Sequence, residues 1–172
     1  MIRRAQVADA ENIAKINVDS WRTAYAGQVP EEYLSALSVP TRAEIWRELI
    51  EKQPQPVFLC VEDDEIAGFV SSGRSRDDDL ASQRAGEIYA IYLKEAYHGR
   101  GLGRQLWDAA ASFLNEEGFH SVTVWVLETN LSGRRFYEAM GCQLDGTTKA
   151  KSIGGALLRE VRYTRALPIW VG

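Results

Sequence analysis

Cysteine, histidine and methionine are scarce in this chain, with two of each in 172 residues. Cys60 and Cys142 stand far apart with no C-x-x-C spacing and no histidine beside them, so they offer no disulfide framework and read as buried, reduced thiols. His98 and His120 bring no accompanying ligands, and no metal is expected. Long apolar runs are missing too. Nothing approaches the roughly 20 residues that a membrane helix needs, and no apolar stretch follows Met1-Ile2-Arg3-Arg4 to serve as a signal peptide. A cytoplasmic location with no membrane partner is the expectation. Charge of one sign is also lacking, because 20 Lys and Arg face 24 Asp and Glu for a net charge of -4. Such a balance does not favour nucleic acid, so any anion site must be local. Neither G-x-S-x-G nor G-x-x-x-x-G-K-[ST] occurs, which removes the nucleophile elbow and the P-loop.

What is present suits one globular unit spanning residues 1–172, with 45% hydrophobic residues and no repeat or low-complexity segment. Residues 2–5 predict a short strand. Asp9 is a candidate N-cap for a helix carrying Ile13, Ile16 and Trp21, which Gly27 and Pro30 end. Thr41 and Glu44 form a capping box ahead of Ile45, Trp46, Leu49 and Ile50 at helical spacing. Residues 57–61 and 66–72 read as a hairpin, followed by a strand at 87–93. Leu102, Leu106, Ala110, Phe113 and Leu114 mark one face of a helix, and 122–127 is an apolar strand. A strand, helix, strand unit of this kind favours parallel neighbours. A short helix over 131–140 ends at Gly141, and 156–167 resembles a closing strand. The whole predicts an α+β fold.

The most informative segment is the passage from that central strand through His98-Gly99-Arg100-Gly101-Leu102-Gly103-Arg104 into a helix. Glycines let the backbone approach an anion closely, and a helix start offers free N–H groups and a partial positive charge. Three readings compete: a plain tight turn, a dinucleotide site, and a coenzyme A pyrophosphate cradle. The dinucleotide fingerprint G-x-G-x-x-G fails on spacing, since Arg104 stands where the third glycine belongs, and the loop lies behind a predicted antiparallel hairpin.

With His98-Gly99-Arg100-Gly101-Leu102-Gly103 set against [Q/R]-x-x-G-x-[G/A], the chain resembles the GCN5-related N-acetyltransferases. A second block, Asn130-Leu131-Ser132-Gly133-Arg134-Arg135-Phe136-Tyr137-Glu138-Ala139-Met140-Gly141-Cys142, is similar to that family's N-x-x-[AS]-x-x-[FL]-Y-x-x-x-G-F. His98 departs from the usual Gln or Arg, Gly133 from the usual small residue and Cys142 from the aromatic. The resemblance implies a mixed, mostly antiparallel central sheet flanked by helices, with a parallel strand pair at the coenzyme site. It implies acetyl-CoA as cosubstrate, its pyrophosphate held mainly by backbone amides across His98, Gly99, Arg100, Gly101, Leu102, Gly103 and Arg104. Main-chain groups of Ile91, Tyr92 and Leu93 would pair with the pantetheine arm, and Asn130 would bond the coenzyme, although an Asn before a short helix is equally an N-cap.

Acyl transfer to an amine of pKa about 10 needs a route for the proton. The resemblance places a carboxylate general base at Glu87, commonly acting through water, and a proton donor for the leaving thiolate at Tyr137. A solvated strand-end acid and a packed tyrosine are the respective plain readings. Strict alternation would put Glu87, Tyr89, Ile91 and Leu93 on one strand face, making Tyr89 an acceptor-site aromatic. The resemblance points to Trp21 and Tyr25, with Tyr33, as walls of that acceptor pocket, packing in the core being the plain reading of each. The expected acceptor is a small-molecule amine or a protein amine, attacked directly in a ternary complex. A non-catalytic acyl-CoA binding or sensing domain is the alternative. Residues 74–79 are open to two readings, a gate on the acceptor pocket or a solvated charged loop. The apolar Leu167-Pro168-Ile169-Trp170-Val171 is open to two readings, a homodimer contact or packing on its own sheet.

Overall fold

The computed structural model describes residues 1–52 and 55–168. The amino-terminal strand β1 (Ile2–Arg4) and a 3-10 turn (Val7–Asp9) lead into helix α1 (Ala10–Ala24), then α2 (Glu31–Ser35) and α3 (Val39–Lys52). Strands β2 (Val57–Glu62), β3 (Glu65–Arg74) and β4 (Ala85–Leu93) precede α4 (Leu102–Glu116), β5 (Ser121–Leu127), α5 (Leu131–Ala139), β6 (Gln143–Ile153) and β7 (Ala156–Ala166). One seven-stranded sheet results, in the order β1-β2-β3-β4-β5-β7-β6. Every neighbour pair is antiparallel except β4 and β5. The expected mixed, mostly antiparallel sheet with a single parallel pair is therefore what the chain forms, and α4 is the crossover that makes that pair parallel.

The two faces of the sheet are covered differently. Against one face α4 packs Leu102, Leu106, Trp107, Ala110, Phe113 and Leu114 onto Val70, Ile88, Val122 and Val124. Burying a leucine of this row contributes about 2 kcal/mol. Against the other face α1 and α3 pack Ile13, Ile16 and Trp46 onto Val57, Leu59 and Phe69. A third cluster joins Tyr25, Val29 and Leu34 to Leu127 and Ile153 at the far end of the sheet.

Several local expectations shift. Asp9 takes the N-cap position of α1 but makes no side-chain cap bond there, because its carboxylate bonds Arg3 Nη1 and Nη2 at 2.7 and 2.8 Å and accepts from the Gln6 amide. Helix α3 begins before the proposed capping box: the Ser38 hydroxyl accepts from the Thr41 amide, which places Pro40 in the first turn, where its missing N–H costs nothing. Strand β6 was not anticipated; most of its residues are exposed and polar at the edge of the sheet, so no apolar alternation marks it.

Strand β4 also breaks the strict alternation. Ser71 pairs with Ala90 and Ser72 with Ile88, so Tyr89 is an extra residue at a bulge. Past it the faces swap: Ile91 and Leu93 join Ile88 on the α4 side, while Ala90 and Tyr92 pack on the α1 side. Ile91 and Leu93 therefore do not share a face with Glu87, as regular alternation had placed them.

Of the apolar carboxyl end, Leu167 is buried in the α4-side core, which is packing on its own sheet. Ile169, Trp170 and Val171 lie outside the described residues. Among the described residues no helix is long and apolar enough to cross a membrane.

Candidate active site

The ladder between β4 and β5 runs only from Ala85–Ser121 to Ile88–Val124. Beyond it β4 stays paired to β3 and β5 to β7, so the two central strands part just after the bulge. An opening in mid-sheet leaves strand-edge main-chain groups with no partner strand, and Tyr89, Ile91 and Leu93 lie along it.

The glycine loop sits on the α4 side of this opening. Gly99 and Gly101 hold φ of +75° and +77°, a left-handed conformation that other residues adopt at a cost, and a Cβ at either would meet nothing within 4 Å. The first recorded helical bond is from the Gln105 amide to the Gly101 carbonyl, which leaves the amides of Leu102, Gly103 and Arg104 as the free first turn of α4. Gly103 serves a different purpose, since a Cβ there would lie 3.1 Å from the Phe136 ring and hold α5 away from α4. Arg100 lies over the Tyr97 ring at 5.2 Å, and Arg104 donates to the Ala139 carbonyl at 3.3 Å. His98 is exposed, but its Nε2 lies 3.0 Å from the Leu93 carbonyl, so its ring is engaged by the main chain it follows.

Tyr137 projects from α5 into the same side. It is buried, with ring contacts to Trp107, Phe136 and Tyr163, and burial pushes its phenol well above the ordinary tyrosine value. A phenol of that kind holds its proton at neutral pH and is a weaker acid than an ordinary tyrosine. Asn130 caps α5, its side-chain oxygen accepting from the Gly133 amide at 2.9 Å. A side chain at position 133 would collide with the Asn130 carboxamide, which accounts for glycine there. Arg134 is held by the Tyr163 hydroxyl and the Glu128 carbonyl, each at 3.1 Å.

Glu87 lies on the opposite, α1-side face and is 2% exposed, which rules out a solvated strand-end acid. Its Oε1 accepts from Arg76 Nη2 at 2.5 Å and its Oε2 from the Arg76 backbone amide at 3.0 Å. Arg76 also stacks 4.4 Å over Tyr89, whose hydroxyl donates to the Arg74 carbonyl. Tyr89 thus stands beside Glu87 as expected, with Arg76 between them. The carboxylate in turn raises the Arg76 guanidinium above its usual value.

The stretch around Arg76 is largely exposed, yet its side chains are tied to the sheet. Asp77 accepts from the Trp125 indole at 3.0 Å and from Arg162 at 3.0 Å, and Asp79 and Asp145 each bond Arg162 at 2.6 Å. Arg162 is 3% exposed and is bonded by these three carboxylates. Arg76, Asp77, Trp125 and Arg162 were not among the site residues expected from sequence, although two charged residues at alternate positions of β7, Glu160 and Arg162, were an available signal. Trp21 and Tyr25 pack together at 4.8 Å at the end of α1 and reach Leu127 and Leu158, so they border this same face. Tyr92 also sends its ring there, 5.7 Å from Phe69. Tyr33 lies against the turn after β6, where its ring faces Gly154.

Burial raises both thiols, Cys142 to about 12, so neither is a nucleophile at neutral pH. Among the described residues no group of three or more His, Cys, Asp or Glu side chains is placed to hold a metal ion.

Comparison with known proteins gives this arrangement a context. Residues 15–142 match the model of the acetyltransferase (GNAT) family. The uncharacterized N-acetyltransferase YuaI of Bacillus subtilis is 35% identical over 93% of this chain and 89% of its own length. Spermidine N(1)-acetyltransferase of Thermoplasma acidophilum is 23% identical over 94% of this chain and 96% of its own. The crystal structure of the PaiA N-acetyltransferase of Thermoplasma acidophilum in complex with coenzyme A superposes with a TM-score of 0.70 at 21% identity, covering 93% of this chain and 96% of that one.

Proposed function

The chain thus belongs to the acetyltransferase (GNAT) family, and on that premise we propose that it moves an acetyl group from acetyl-CoA to a primary amine by direct attack in a ternary complex. The observation that carries this reading is the parting of β4 and β5 beyond Ile88 and Val124, with the free helix-start amides of α4 on one side and a buried carboxylate on the other. Residues 1–172 act as one acyltransferase unit in this reading.

The chain's own groups fit the coenzyme. The open space above Gly99 and Gly101 and the amides of Leu102, Gly103 and Arg104 suit a pyrophosphate, with Arg100 adding charge. The main chain of Ile91, Tyr92 and Leu93 borders the gap that a pantetheine arm would fill as an added strand, while His98 contributes through its bond to the Leu93 carbonyl. Asn130 acts first as the cap that sets α5, and through it the position of Tyr137. When bound, acetyl-CoA supplies an activated acyl carbon and a sulfur leaving group.

Proton traffic is then divided between the two faces. The attacking amine loses its proton toward Glu87, reached through water, because Arg76 occupies both carboxylate oxygens and holds them in place. The departing sulfur takes its proton from the Tyr137 hydroxyl. A carbon–nitrogen bond forms, a carbon–sulfur bond breaks, and the products are an acetamide and the free coenzyme thiol. Trp21, Tyr25 and Tyr89 wall the acceptor side.

The test separates catalysis from binding. Wild-type protein is expected to bind acetyl-CoA, but not NADH, by calorimetry, and to release free thiol with an amine library. Tyr137→Phe and Glu87→Gln should each lower transfer about 100-fold while acetyl-CoA affinity holds. Full activity of both variants would remove these roles, and acetyl-CoA binding with no transfer to any amine would favour a sensing domain.

A further inference from the structure

Two buried carboxylates face the α1 side of the opening, and they are satisfied unequally. Glu87 has three donors from one arginine. Glu160, on β7 opposite Leu127, is 5% exposed, yet among the described residues its side-chain partners are Lys151 at 3.4 Å and Lys149 at 3.7 Å. A carboxylate removed from water and held by such long contacts has acceptor capacity to spare.

Its surroundings are those of a cation site. The Lys149 ammonium stands 3.9 Å over the Trp125 ring and the Lys151 ammonium 5.9 Å from the Trp21 ring. Trp21 stacks on Tyr25, and the Glu160 charge is felt at the Tyr25 and Tyr92 phenols, which burial already raises. Both lysine side chains remain about 40% exposed, at 42% and 41%, so each can swing into solvent. Two primary alkylammonium groups of the chain itself thus rest on the carboxylate and aromatic faces that would receive a ligand's. Across the whole face Glu87, Asp77, Asp79, Asp145 and Glu160 are matched in number by Arg76, Arg162, Lys149, Lys151 and Arg42, whose guanidinium stands 5.0 Å from the Trp21 ring.

We propose that Glu160, with Trp21 and Trp125, anchors a protonated nitrogen of the acceptor, and that the acceptor is an alkyl diamine or polyamine. The second nitrogen follows from chemistry. An amine that binds a carboxylate as an ammonium has no lone pair for attack, so the nitrogen that is acetylated must be another one in the same molecule. Lys149 and Lys151 hold the site until the acceptor displaces them. This assignment rests on the N-acetyltransferase reading, but its first test does not depend on turnover.

With coenzyme A saturating, calorimetry should show butane-1,4-diamine binding at least tenfold tighter than butylamine. Glu160→Gln should abolish that preference while acetyl-CoA affinity and melting temperature hold. The double variant Lys149→Ala/Lys151→Ala should tighten diamine binding several-fold, a direction that a merely structural role for these lysines does not produce. Equal binding of diamine and monoamine, or a diamine preference that survives Glu160→Gln, overturns the proposal. So does weaker diamine binding in the double variant, or preferential binding of an α-amino acid that the two lysines are needed for. Acetyl-CoA binding by the same samples reports separately on the family reading: its loss would sink the enzyme assignment, whereas its retention with no diamine preference would sink only the anchor.

Discussion

The two faces of the central sheet solve opposite problems. On the α4 side an apolar core presses against the strands, and what remains for recognition is backbone: free amides at a helix start and the unpaired main chain of β4. On the α1 side the strands carry buried charge, with Glu87, Glu160 and Arg162 each held by side chains from elsewhere in the chain. Backbone recognition asks only for glycines and a helix start at one place in the sequence. Side-chain recognition asks for partners that the fold must bring together, as Arg162 meets an aspartate 85 residues away. One face suits a cosubstrate common to a family, and the other suits an acceptor particular to one member.

That contrast can be broken experimentally. The largest effect is expected at Arg162. Replacing it with alanine removes the buried cation that ties Asp77, Asp79 and Asp145 together, and because water reaches these carboxylates the cost should be about 2 to 3 kcal/mol, lowering the melting temperature by about 5 °C. Thermal unfolding checks this, and an unchanged midpoint would show that the charged face contributes specificity and no stability.

On the backbone face the effect should be on affinity. Gly101→Val forces a β-branched residue into a left-handed conformation, at a cost of about 1 to 2 kcal/mol, with no steric neighbour to blame. Acetyl-CoA affinity by calorimetry should fall about tenfold, and full affinity would mean that the cradle does not depend on this turn.

The smallest effect belongs to an ion pair outside both faces. Arg3 holds the Asp9 carboxyl below its ordinary value. A depressed acid contributes stability above its unfolded pKa of about 3.9 and loses that contribution as pH falls through the folded value. Asp9→Asn should therefore be about 1 kcal/mol less stable than wild type at pH 7, and the difference should shrink in acid as pH falls through the lowered folded value. Denaturant titrations at pH 7 and in acid decide it, and a constant difference would assign the loss to packing.

Much of the fold was legible because it rests on local periodicity and on caps. The row Leu102, Leu106, Ala110, Phe113 and Leu114 marks α4 at helical spacing, and the apolar run of β5 is continuous because both its faces are covered. The glycine loop was legible for the same reason, since a left-handed turn before a helix is a demand on residue type at fixed positions. Strand β6 was not legible, as an edge strand needs no buried alternation. Nor was the bulge at Tyr89, which depends on how β3 pairs with β4 and moves Ile91 and Leu93 to the other face.

The residue order alone was enough to determine most of the elements, the glycine turn before α4 and the resemblance to the family, because each of these is a pattern within a short window. Only the tertiary structure decided that Glu87 is buried and held by Arg76, that residues 76–79 are tied to the sheet, and that Glu160 lies among aromatic rings and two lysines. The physical reason is that a buried charge takes its character from its partners, and those partners are chosen by strand order and helix packing, which no local window records.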